Sequence, residues 1–343
     1  AYTVLKGGKV VAEHTYYPEY GLNWNSEYLM WSVTKSVSSM LIGQLVDAGS
    51  VATSDTLEYI FEEQVAEGKL DWADVVQGES KKRITLEELL TMTSGLADPA
   101  ALSDLDESND PPQESLLDVL NHGSYTDSNE FSYLSSTHIL AYVINSVSGE
   151  TPAAFATDSS SGAFTALGID TFTWTADTWH TTTNADGMQG SGYGLQMRVR
   201  DMAKIGQLYL QEGMSAPSTQ LLSAEYVAAS TEMKVGPWPN WRGVNWMADF
   251  CEDATNVRLE GYGYQYWKLT TSDDVKYTCA IGHGGQFICI YPTLDVVVAV
   301  TSDSTRDWTG AAGYRASCLV LAQIQSLFEV SRAPPSPSLP PPL

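Results

Sequence analysis

The hydrophobic and polar positions between residues 31 and 49 predict a buried helix. After Ser32 the apolar side chains recur at helical spacing, and Gly49 occupies the position where a left-handed C-cap would end the helix. The apolar positions are Val33, Val37, Met40, Leu41 and Leu45. The pattern predicts a helix from about residue 33 to 48, with Ser32 at its N-terminal edge and Lys35 one turn later.

The remaining patterns predict a β-hairpin at the start of the chain and helices in the middle. Residues 2–18 alternate in polarity around Gly7-Gly8, which is typical of a hairpin. A second strong helix is predicted from about 136 to 148, with Gly149 as its stop. In chain order, the other predictions are an acidic amphipathic stretch over 55–69, a short helix after a capping box from Thr85 to Glu88, a turn-rich surface loop over 97–130, a mostly irregular segment over 151–193, a helix over 201–211 and a final helix over about 309–329.

The last third of the chain changes from helical periodicity to consecutive strands. Strands are predicted over 261–267, 275–281, 286–291 and 294–301, with the aromatic run 262–267 interpreted as core and sheet surface. Such an order implies an antiparallel sheet. We therefore expect an α+β fold in which residues 1–50 and 250–332 form a sheet lobe, residues 51–249 form a mainly helical and loop lobe, and residues 333–343 form a proline-rich disordered tail.

Composition narrows the class of partner. The chain has 343 residues, enough to bury a large core, and its 42 acidic against 18 basic residues give a formal net charge of −24. Such acidity argues against nucleic acid and against an anionic membrane surface as partners. No apolar run approaches the length of a membrane span, so no transmembrane segment is predicted.

Compartment and oligomeric state stay open at this point. The chain begins at Ala1 within a predicted strand, without an initiator Met or a signal peptide, so we expect the natural N-terminus to be missing. A soluble protein is predicted, and a secreted or periplasmic location is compatible with its acidity.

Neither the cysteines nor the histidines show metal-ligand spacing, so no metal or other cofactor is predicted. Cys279 and Cys289 are equally far from Gly284 and would face each other across a hairpin, either bridged or, as we favour, both free.

Ser32 and Lys35 are the first candidates for catalysis. Three residues apart on a helix, they share a face, so the hydroxyl and the amine can meet. A serine is a weak nucleophile until a base removes its proton. A neutral lysine can be that base, and both apolar surroundings and the positive end of the helix dipole favour the neutral amine. The alternative is that Ser32 is only an N-cap and Lys35 a surface lysine.

Five motifs in the same order resemble those of penicillin-binding proteins and serine β-lactamases, in particular the class C-like members. The S-x-x-K of Ser32 and Lys35 is the nucleophile motif of that superfamily. The other segments are Leu89–Leu96, which resembles LLtHtSGL, Phe131–Ser135, which resembles Y-x-N, Gly190–Leu210, which resembles the helix containing DmarfG, and Ile281–Gln286, which resembles a K-T-G strand without its lysine. The last segment is most similar to the branch of 6-aminohexanoate-dimer hydrolase and the family VIII carboxylesterases.

The resemblance implies a fold, a reaction and roles for individual residues. The implied fold is an antiparallel sheet of five or more strands flanked by helices, with an all-helical lobe and the site between them. The implied reaction is hydrolysis of a small ester or unstrained amide through an acyl-enzyme on Ser32, of the carboxylesterase or amidase type, without a cofactor. Lys35 would take the proton of Ser32. Tyr133 would be a second general base, and we expect the nearby Lys35 to lower its pKa.

Two departures from the family pattern bear on the substrate. Ser135 stands where Y-x-N has asparagine, and the lysine of K-T-G is absent. Depending on the register, His283 takes the place of that lysine, or its backbone N–H lies in the oxyanion hole together with that of Ser32. Gly284 and Gly285 would line the same site, and Ser135 and Gln286 would contact a substrate.

Two other functions remain as alternatives. A β-lactamase or DD-peptidase would share the nucleophile, but the missing asparagine and lysine disfavour it. A catalytically silent binding or scaffold protein would keep the fold, but such proteins usually lose the nucleophile or its lysine. This chain retains Ser32, Lys35 and Tyr133.

Overall fold

A computed structural model describes residues 1–15, 23–97, 115–121, 124–133, 138–175, 187–237, 258–271, 274–302 and 311–330. The strands are β1 (Tyr2–Lys6), β2 (Lys9–His14), β3 (Tyr28–Leu29), β4 (Leu96–Ala97), β5 (Ser124–Tyr125), β6 (Phe172–Trp174), β7 (Leu195–Met197), β8 (Met214–Ala216), β9 (Thr219–Gln220), β10 (Arg258–Tyr262), β11 (Trp267–Thr270), β12 (Lys276–Gly282), β13 (Gln286–Tyr291) and β14 (Val296–Val300). The helices are α1 (Val33–Asp47), α2 (Leu57–Ile60), α3 (Glu62–Ala66), α4 (Gly78–Lys81), α5 (Leu86–Leu90), α6 (Leu116–Asn121), α7 (Ile139–Ser148), α8 (Pro152–Ala156), α9 (Ala163–Leu167), α10 (Val199–Leu210), α11 (Ala224–Thr231) and α12 (Ala311–Val330).

A seven-stranded antiparallel sheet lies at the centre of the fold, with the strand order β10-β11-β12-β13-β14-β1-β2. β1 pairs with β14, and Tyr2 lies opposite Val300, so both ends of the chain contribute to one sheet. Gly7 and Gly8 adopt left-handed φ angles of 56° and 70° in the turn between β1 and β2, as the predicted hairpin requires. The α+β class and the antiparallel sheet are confirmed.

Helices cover both faces of this sheet. On one face, α1 and α10 pack against an apolar cluster that includes Ala280, Ile288 and Val297. On the other face, α12 contributes Cys318 and Leu321 to a second cluster. α1 also contacts α7, α8 and α11, so it lies between the sheet and the helices of the middle of the chain. This central place is why α1 is buried along almost its whole length.

The strongest sequence signals give helix boundaries close to those observed. α1 ends at Asp47, and Gly49 has a φ of 70°, as the predicted cap requires. The capping box of Thr85 and Glu88 is present at the start of α5, with both hydrogen bonds formed. α7 ends before Gly149, whose φ of 76° is left-handed.

Two segments in the middle of the chain contain more regular structure than the sequence predicts. Residues 151–193 include α8, α9 and β6, and the other described residues of this segment are irregular, as predicted. The side chain of Thr151 caps α8 and Pro152 occupies its first turn, a start signal that the surrounding threonines and serines obscure. The predicted loop over 97–130 contains α6 and β5 where it is described, and residues 98–114 lie outside the described residues.

The predicted strand over 261–267 is also wrong, because this segment turns between two strands. β10 ends at Tyr262 and β11 begins at Trp267. Gln265, between them, has a left-handed φ of 64°, and its side chain donates hydrogen bonds to the carbonyls of Leu89 and Leu90. The aromatic run is buried, with Tyr262 and Trp267 each 1% exposed, so its interpretation as core is confirmed.

Cys279 and Cys289 form a disulfide, so the favoured prediction of two free thiols is wrong. The two residues are direct partners in the pairing of β12 with β13, as their equal distance from Gly284 predicts. Two thiols held opposite each other by a fixed strand register are close enough to bond. Cys318 is also disulfide-bonded, and no cysteine in the described ranges is free.

No helix among the described residues combines the length and the apolar character needed to cross a bilayer. The division into a sheet lobe and a helical lobe stays a prediction, and α10 from the middle of the chain packs on β13, β14 and β1. The predicted tail over 333–343 lies outside the described residues.

Candidate active site

A sharp turn presents Ser32 at the start of α1. Trp31 has a φ of 49°, a left-handed conformation that is uncommon for a large side chain and is typical of functional sites when it occurs next to a reactive group. The side chain of Ser32 makes no capping hydrogen bond to the helix. Ser32 therefore occupies the N-cap position without using its hydroxyl as a cap.

Lys35 is buried beside Ser32 and is only 1% exposed. Its Nζ lies 2.9 Å from Ser32 Oγ and 2.8 Å from the carbonyl oxygen of Gly192. The alternative of a surface lysine is therefore wrong, and the predicted contact between the hydroxyl and the amine is confirmed. An amine that donates to the Gly192 carbonyl and is neutral keeps its lone pair for the proton of Ser32.

Tyr133, in the segment that follows β5, lies beside Ser32 and Lys35. The side chains of Ser32 and Trp267 are near enough to the Tyr133 hydroxyl to lower its pKa. Lys35 Nζ lies 5.5 Å from the centre of the Tyr133 ring. The backbone N–H of Ser132 donates to the carbonyl of Met92, which holds the segment before Tyr133 against the end of α5. The three predicted side chains Ser32, Lys35 and Tyr133 are thus brought together.

The predicted lowering of the pKa of Tyr133 is wrong. Burial of the phenol raises its pKa to about 12, and the nearby side chains of Ser32 and Trp267 offset only part of this effect. Lys35 lies near the ring as the sequence predicts, but burial of the phenol is the larger influence on its pKa. Tyr133 is therefore a neutral phenol at physiological pH, a group that can pass a proton on but does not hold a negative charge at rest.

The end of β12 packs directly against the turn that carries Ser32. A side-chain carbon at Gly282 would come within 2.2 Å of the Met30 carbonyl, so the two backbones touch at this point. His283 follows Gly282, is half-buried and places its ring 5.1 Å from that of Trp31, edge to face. His283 therefore lies next to the residue that precedes Ser32.

The two glycines after His283 form a turn that is tied to its neighbours. Gly284 and Gly285 have left-handed φ angles of 71° and 91°. The Ser302 hydroxyl donates to the carbonyl of Gly284, and the Ser317 hydroxyl donates to that of Gly285 at 2.7 Å. These bonds to Ser302, just after β14, and to α12 hold the turn that follows β12 in place beside the turn of Ser32.

Gln286 is not available for a substrate. It is completely buried, its Nε2 donates to the Ser302 carbonyl at 2.9 Å, and its Oε1 accepts from the Ser302 N–H at 3.2 Å. Its predicted role in binding is therefore replaced by one in holding the turn. Ser135 lies outside the described residues.

Two functional groups escaped the sequence reasoning. The Gly192 carbonyl is a backbone atom, and nothing in the side-chain pattern around it indicates a contact with Lys35. Trp267 is part of the aromatic run, and nothing in the sequence indicates that its side chain lies near enough to the Tyr133 hydroxyl to lower its pKa. Within the described part of the chain, no group of three His, Cys, Asp or Glu side chains could hold a metal ion.

Solved structures similar to this fold include proteins of the penicillin-binding class. The octameric penicillin-binding protein homologue from Pyrococcus abyssi matches with a TM-score of 0.66 at 19% identity, over 95% of this chain and 73% of that one. The penicillin binding protein from Bacillus halodurans matches with a TM-score of 0.60 at 20% identity, over 95% and 94%. At this level of identity the likeness concerns the fold.

A curated relative and a family model extend the comparison to the sequence. The 6-aminohexanoate-dimer hydrolase of Paenarthrobacter ureafaciens is 25% identical over 332 residues, which cover 90% of this chain and 75% of that protein. The family model described as Beta-lactamase matches residues 1–317. Since that match includes the strands at both ends of the sheet and the helix that carries Ser32, the chain belongs to the beta-lactamase family.

Proposed function

We propose that the protein is a serine hydrolase that forms an acyl-enzyme on Ser32 and hydrolyses a small ester or unstrained amide. The observation that carries the proposal is the contact of Ser32 Oγ with the amine of the buried Lys35 at 2.9 Å, beside the ring of Tyr133. A nucleophile, a buried amine and a neighbouring phenol are the parts that acyl transfer needs.

Lys35 is the proposed base for acylation. Ser32 Oγ attacks the carbonyl carbon while its proton moves to Lys35 Nζ, and the carbonyl π electrons move to the oxygen. The fully buried position of Lys35 favours the neutral amine that can accept this proton. The Gly192 carbonyl holds the amine in place through a bond that does not use the lone pair.

Tyr133 is the proposed proton relay to the leaving group. When the tetrahedral intermediate collapses, the bond to the leaving oxygen or nitrogen breaks and that atom takes the proton of the Tyr133 hydroxyl. The proton now on Lys35 then moves to the Tyr133 oxygen, while Ser32 Oγ stays bonded to the acyl group. Because the pKa of Tyr133 is about 12, we expect the phenol to act by this exchange and never to persist as a free phenolate.

The oxyanion is proposed to form between the start of α1 and the end of β12. The backbone N–H of Ser32 belongs to the first turn of α1, where the helix dipole favours negative charge. The backbone N–H of His283 is the second proposed donor, since Gly282 touches the Met30 carbonyl. The His283 ring, with Gly284 and Gly285 behind it, then forms the wall that a substrate contacts in place of the family lysine. A water molecule then attacks the carbonyl carbon of the acyl-enzyme in the same way. The bond from that carbon to Ser32 Oγ breaks, and Ser32 regains its proton.

The relative named 6-aminohexanoate-dimer hydrolase supports an unstrained amide as one substrate class, at 25% identity. A β-lactamase or DD-peptidase activity is the alternative within the same chemistry. The replacement of the family asparagine by Ser135 and the absence of the family lysine near His283 disfavour it. A catalytically silent scaffold is the second alternative, and the contact of Ser32 with the buried Lys35 beside Tyr133 disfavours it.

The test is covalent labelling combined with turnover. We expect a fluorophosphonate probe to label the protein once, on Ser32, and p-nitrophenyl butyrate to be hydrolysed. Ser32→Ala should abolish both, and Ser38→Ala is a matched control, because its hydroxyl on the same helix bonds to the Ser191 carbonyl. A wild type that behaves like Ser32→Ala would refute the proposal, whereas nitrocefin turnover exceeding that of esters would shift it to the β-lactamase alternative.

A further inference from the structure

The carbonyl that holds the Lys35 amine belongs to a glycine-rich segment. Residues 190–194 read Gly-Ser-Gly-Tyr-Gly, and the Gly192 carbonyl accepts from Lys35 Nζ at 2.8 Å. Because glycine adopts many backbone conformations, the sequence of this segment does not by itself fix the direction of that carbonyl. Contacts with the rest of the molecule must therefore hold it in place.

The side chain of Ser191 makes such a contact with α7. Ser191 is completely buried, and its Oγ accepts from the backbone N–H of Ala141 at 3.1 Å. Ala141 is the third residue of α7, so its N–H has no helical partner four residues back, although it also donates to the His138 carbonyl at 3.1 Å. His138 makes no capping bond with its own side chain. Ser191 therefore caps α7 from a distant part of the chain.

The backbone of Ser191 is joined to α1, the helix that carries Lys35. The Ser38 hydroxyl donates to the Ser191 carbonyl at 3.2 Å, and the next carbonyl, that of Gly192, accepts from Lys35 Nζ. The bond from Ser38 joins the segment to α1 alone, whereas the Ser191 hydroxyl joins it to a second helix. The Ser191 hydroxyl thus fixes the segment relative to α7, which packs against α1.

We propose that Ser191 is a positioning residue that orients the Lys35 amine toward Ser32 through the Gly192 carbonyl; this inference rests on the proposed function. A neutral amine has two N–H groups and one lone pair, so a carbonyl that takes one N–H restricts the direction of the lone pair. Ser32 Oγ lies 2.9 Å from Lys35 Nζ, within reach of that lone pair. Loss of the Ser191 hydroxyl allows the Gly192 carbonyl to shift, and a misaligned base removes the proton more slowly.

The inference has a signature that helix capping alone lacks. When a fluorophosphonate reacts, Ser32 Oγ forms a bond to phosphorus, its proton moves to Lys35 and fluoride leaves as an anion. Because fluoride needs no proton, the labelling rate reports on the activation of Ser32 and not on proton transfer from Tyr133. A misaligned lysine slows labelling but leaves its end point unchanged, whereas a loss of folded protein lowers the end point.

The experiment measures the maximal rate of fluorophosphonate labelling, kinact, and the probe concentration that gives half of this rate, KI, in the wild type and in Ser191→Ala. We expect kinact to fall roughly 10- to 100-fold, with KI within about twofold and the same end point.

Ser223→Ala is the matched control. Ser223 Oγ accepts from the N–H of Tyr226, the third residue of α11, at 2.9 Å, and α11 also packs against α1. This variant loses a hydroxyl cap at the same helix position. It should therefore lower the urea midpoint of unfolding, as Ser191→Ala should, but leave kinact within about twofold.

An unchanged kinact in Ser191→Ala, or an equal fall in Ser223→Ala, would overturn the role of Ser191. A wild type that the probe does not label would instead refute the proposed function, so the two failures are distinguishable. If Ser191→Ala does not fold, Ser191→Cys keeps a side chain of similar size with a much weaker hydrogen-bond acceptor. The same fall in kinact is then expected, and an unchanged kinact in that variant would overturn the inference.

Discussion

Two lysines of this molecule are equally buried and differ in what surrounds them. Lys35 and Lys81 are each 1% exposed. Lys35 Nζ contacts the Ser32 hydroxyl and the Gly192 carbonyl. Lys81 Nζ donates to the Leu120 carbonyl at 2.6 Å, and desolvation lowers its pKa.

The difference shows that burial alone does not make a lysine a candidate base. Lys81 donates to a carbonyl in the last turn of α6, where the helix dipole is negative and a cation is favourable. No proton can be taken from a carbonyl, so Lys81 stabilises the end of a helix. Lys35 has a hydroxyl within 2.9 Å, and that single neighbour gives its buried amine a reaction to perform.

The largest effect is expected when the two lysines are replaced in turn. In the proposed function Lys35 is the base of the nucleophile, so Lys35→Met should lower kcat/KM for p-nitrophenyl butyrate roughly 10³- to 10⁴-fold. Lys81→Met should leave kcat/KM within about twofold and should destabilise the fold by about 1–3 kcal/mol, because the Leu120 carbonyl loses its donor. Steady-state kinetics and urea denaturation separate the two outcomes. A comparable activity loss in both variants would contradict the conclusion that the neighbouring hydroxyl, and not burial alone, distinguishes Lys35 from Lys81.

Tyr133→Phe is expected to have the next largest effect. It should lower kcat/KM for ethyl butyrate roughly 100-fold, because the phenol that protonates the leaving group is removed. Since burial raises the pKa of Tyr133 to about 12, its ionisation should contribute no limb to the pH profile of kcat/KM between about pH 6 and 10. The wild type and Tyr133→Phe should therefore give profiles of the same shape in this range. An alkaline limb present only in the wild type would assign a lower pKa to Tyr133.

Lys35 and Tyr133 also show which features of the candidate site can be predicted from the sequence. The face shared by Ser32 and Lys35 follows from three-residue spacing on one helix, so the contact could be predicted from local geometry alone. The pKa of Tyr133 depends on how many atoms from distant segments surround the phenol, and no local pattern contains that information. The contact of the Trp267 ring with the Tyr133 ring joins residues more than a hundred positions apart, and the sequence could not predict it either.

Some strand ends can likewise be predicted from adjacent residues, whereas others depend on contacts with distant segments of the chain. The hairpin around Gly284 could be placed because its turn glycines and the flanking apolar runs are adjacent in sequence. The turn at Gln265 was missed because aromatic residues on both sides of it resemble one strand, and its side chain is held by the carbonyls of Leu89 and Leu90. Whether Cys279 and Cys289 were bonded depended on their oxidation, which spacing does not give.

A third test asks whether the disulfide between Cys279 and Cys289 contributes only to the stability of the fold or also to the proposed activity. Replacing both Cys279 and Cys289 by alanine should destabilise the protein by about 2–3 kcal/mol, since a short loop is no longer closed in the unfolded chain. At temperatures well below the unfolding transition, the variant should retain most of its esterase activity. Urea denaturation and ester turnover measure the two effects. An activity loss as large as that of Lys35→Met would mean that the disulfide acts on the centre itself.

The smallest effect is expected at a third lysine. Lys268 Nζ bonds to the Thr278 hydroxyl, and desolvation followed by the nearby Lys276 lowers its pKa to about 8, against 10.5 for a free side chain. Between about pH 8 and 10.5 the unfolded chain then binds more protons than the folded one, so stability from this group rises with pH across that window.

Lys268→Met should therefore stabilise the protein by about 1–2 kcal/mol at pH 7 and by less at pH 10. Urea denaturation at both values is the measurement, with Lys69→Met as an exposed control. A Lys268→Met variant that is less stable than the wild type at pH 7 would show that Lys268 contributes more stability through its hydrogen bond than it costs through burial.

Fluorophosphonate should leave Thr278 unlabelled, because this threonine is 3% exposed although a lysine contacts its hydroxyl.

The pairing of β1 with β14 has a consequence for synthesis on the ribosome. β1 ends at Lys6 and β14 begins at Val296, so the first hairpin is made long before its partner strand leaves the exit tunnel. At roughly 5–20 residues per second, translation leaves that hairpin with an unpaired edge for about 15–60 s. The strand that pairs with β1 in the central sheet thus emerges about 290 residues after it, and until then the nascent hairpin presents an edge that chaperones or neighbouring chains can meet first.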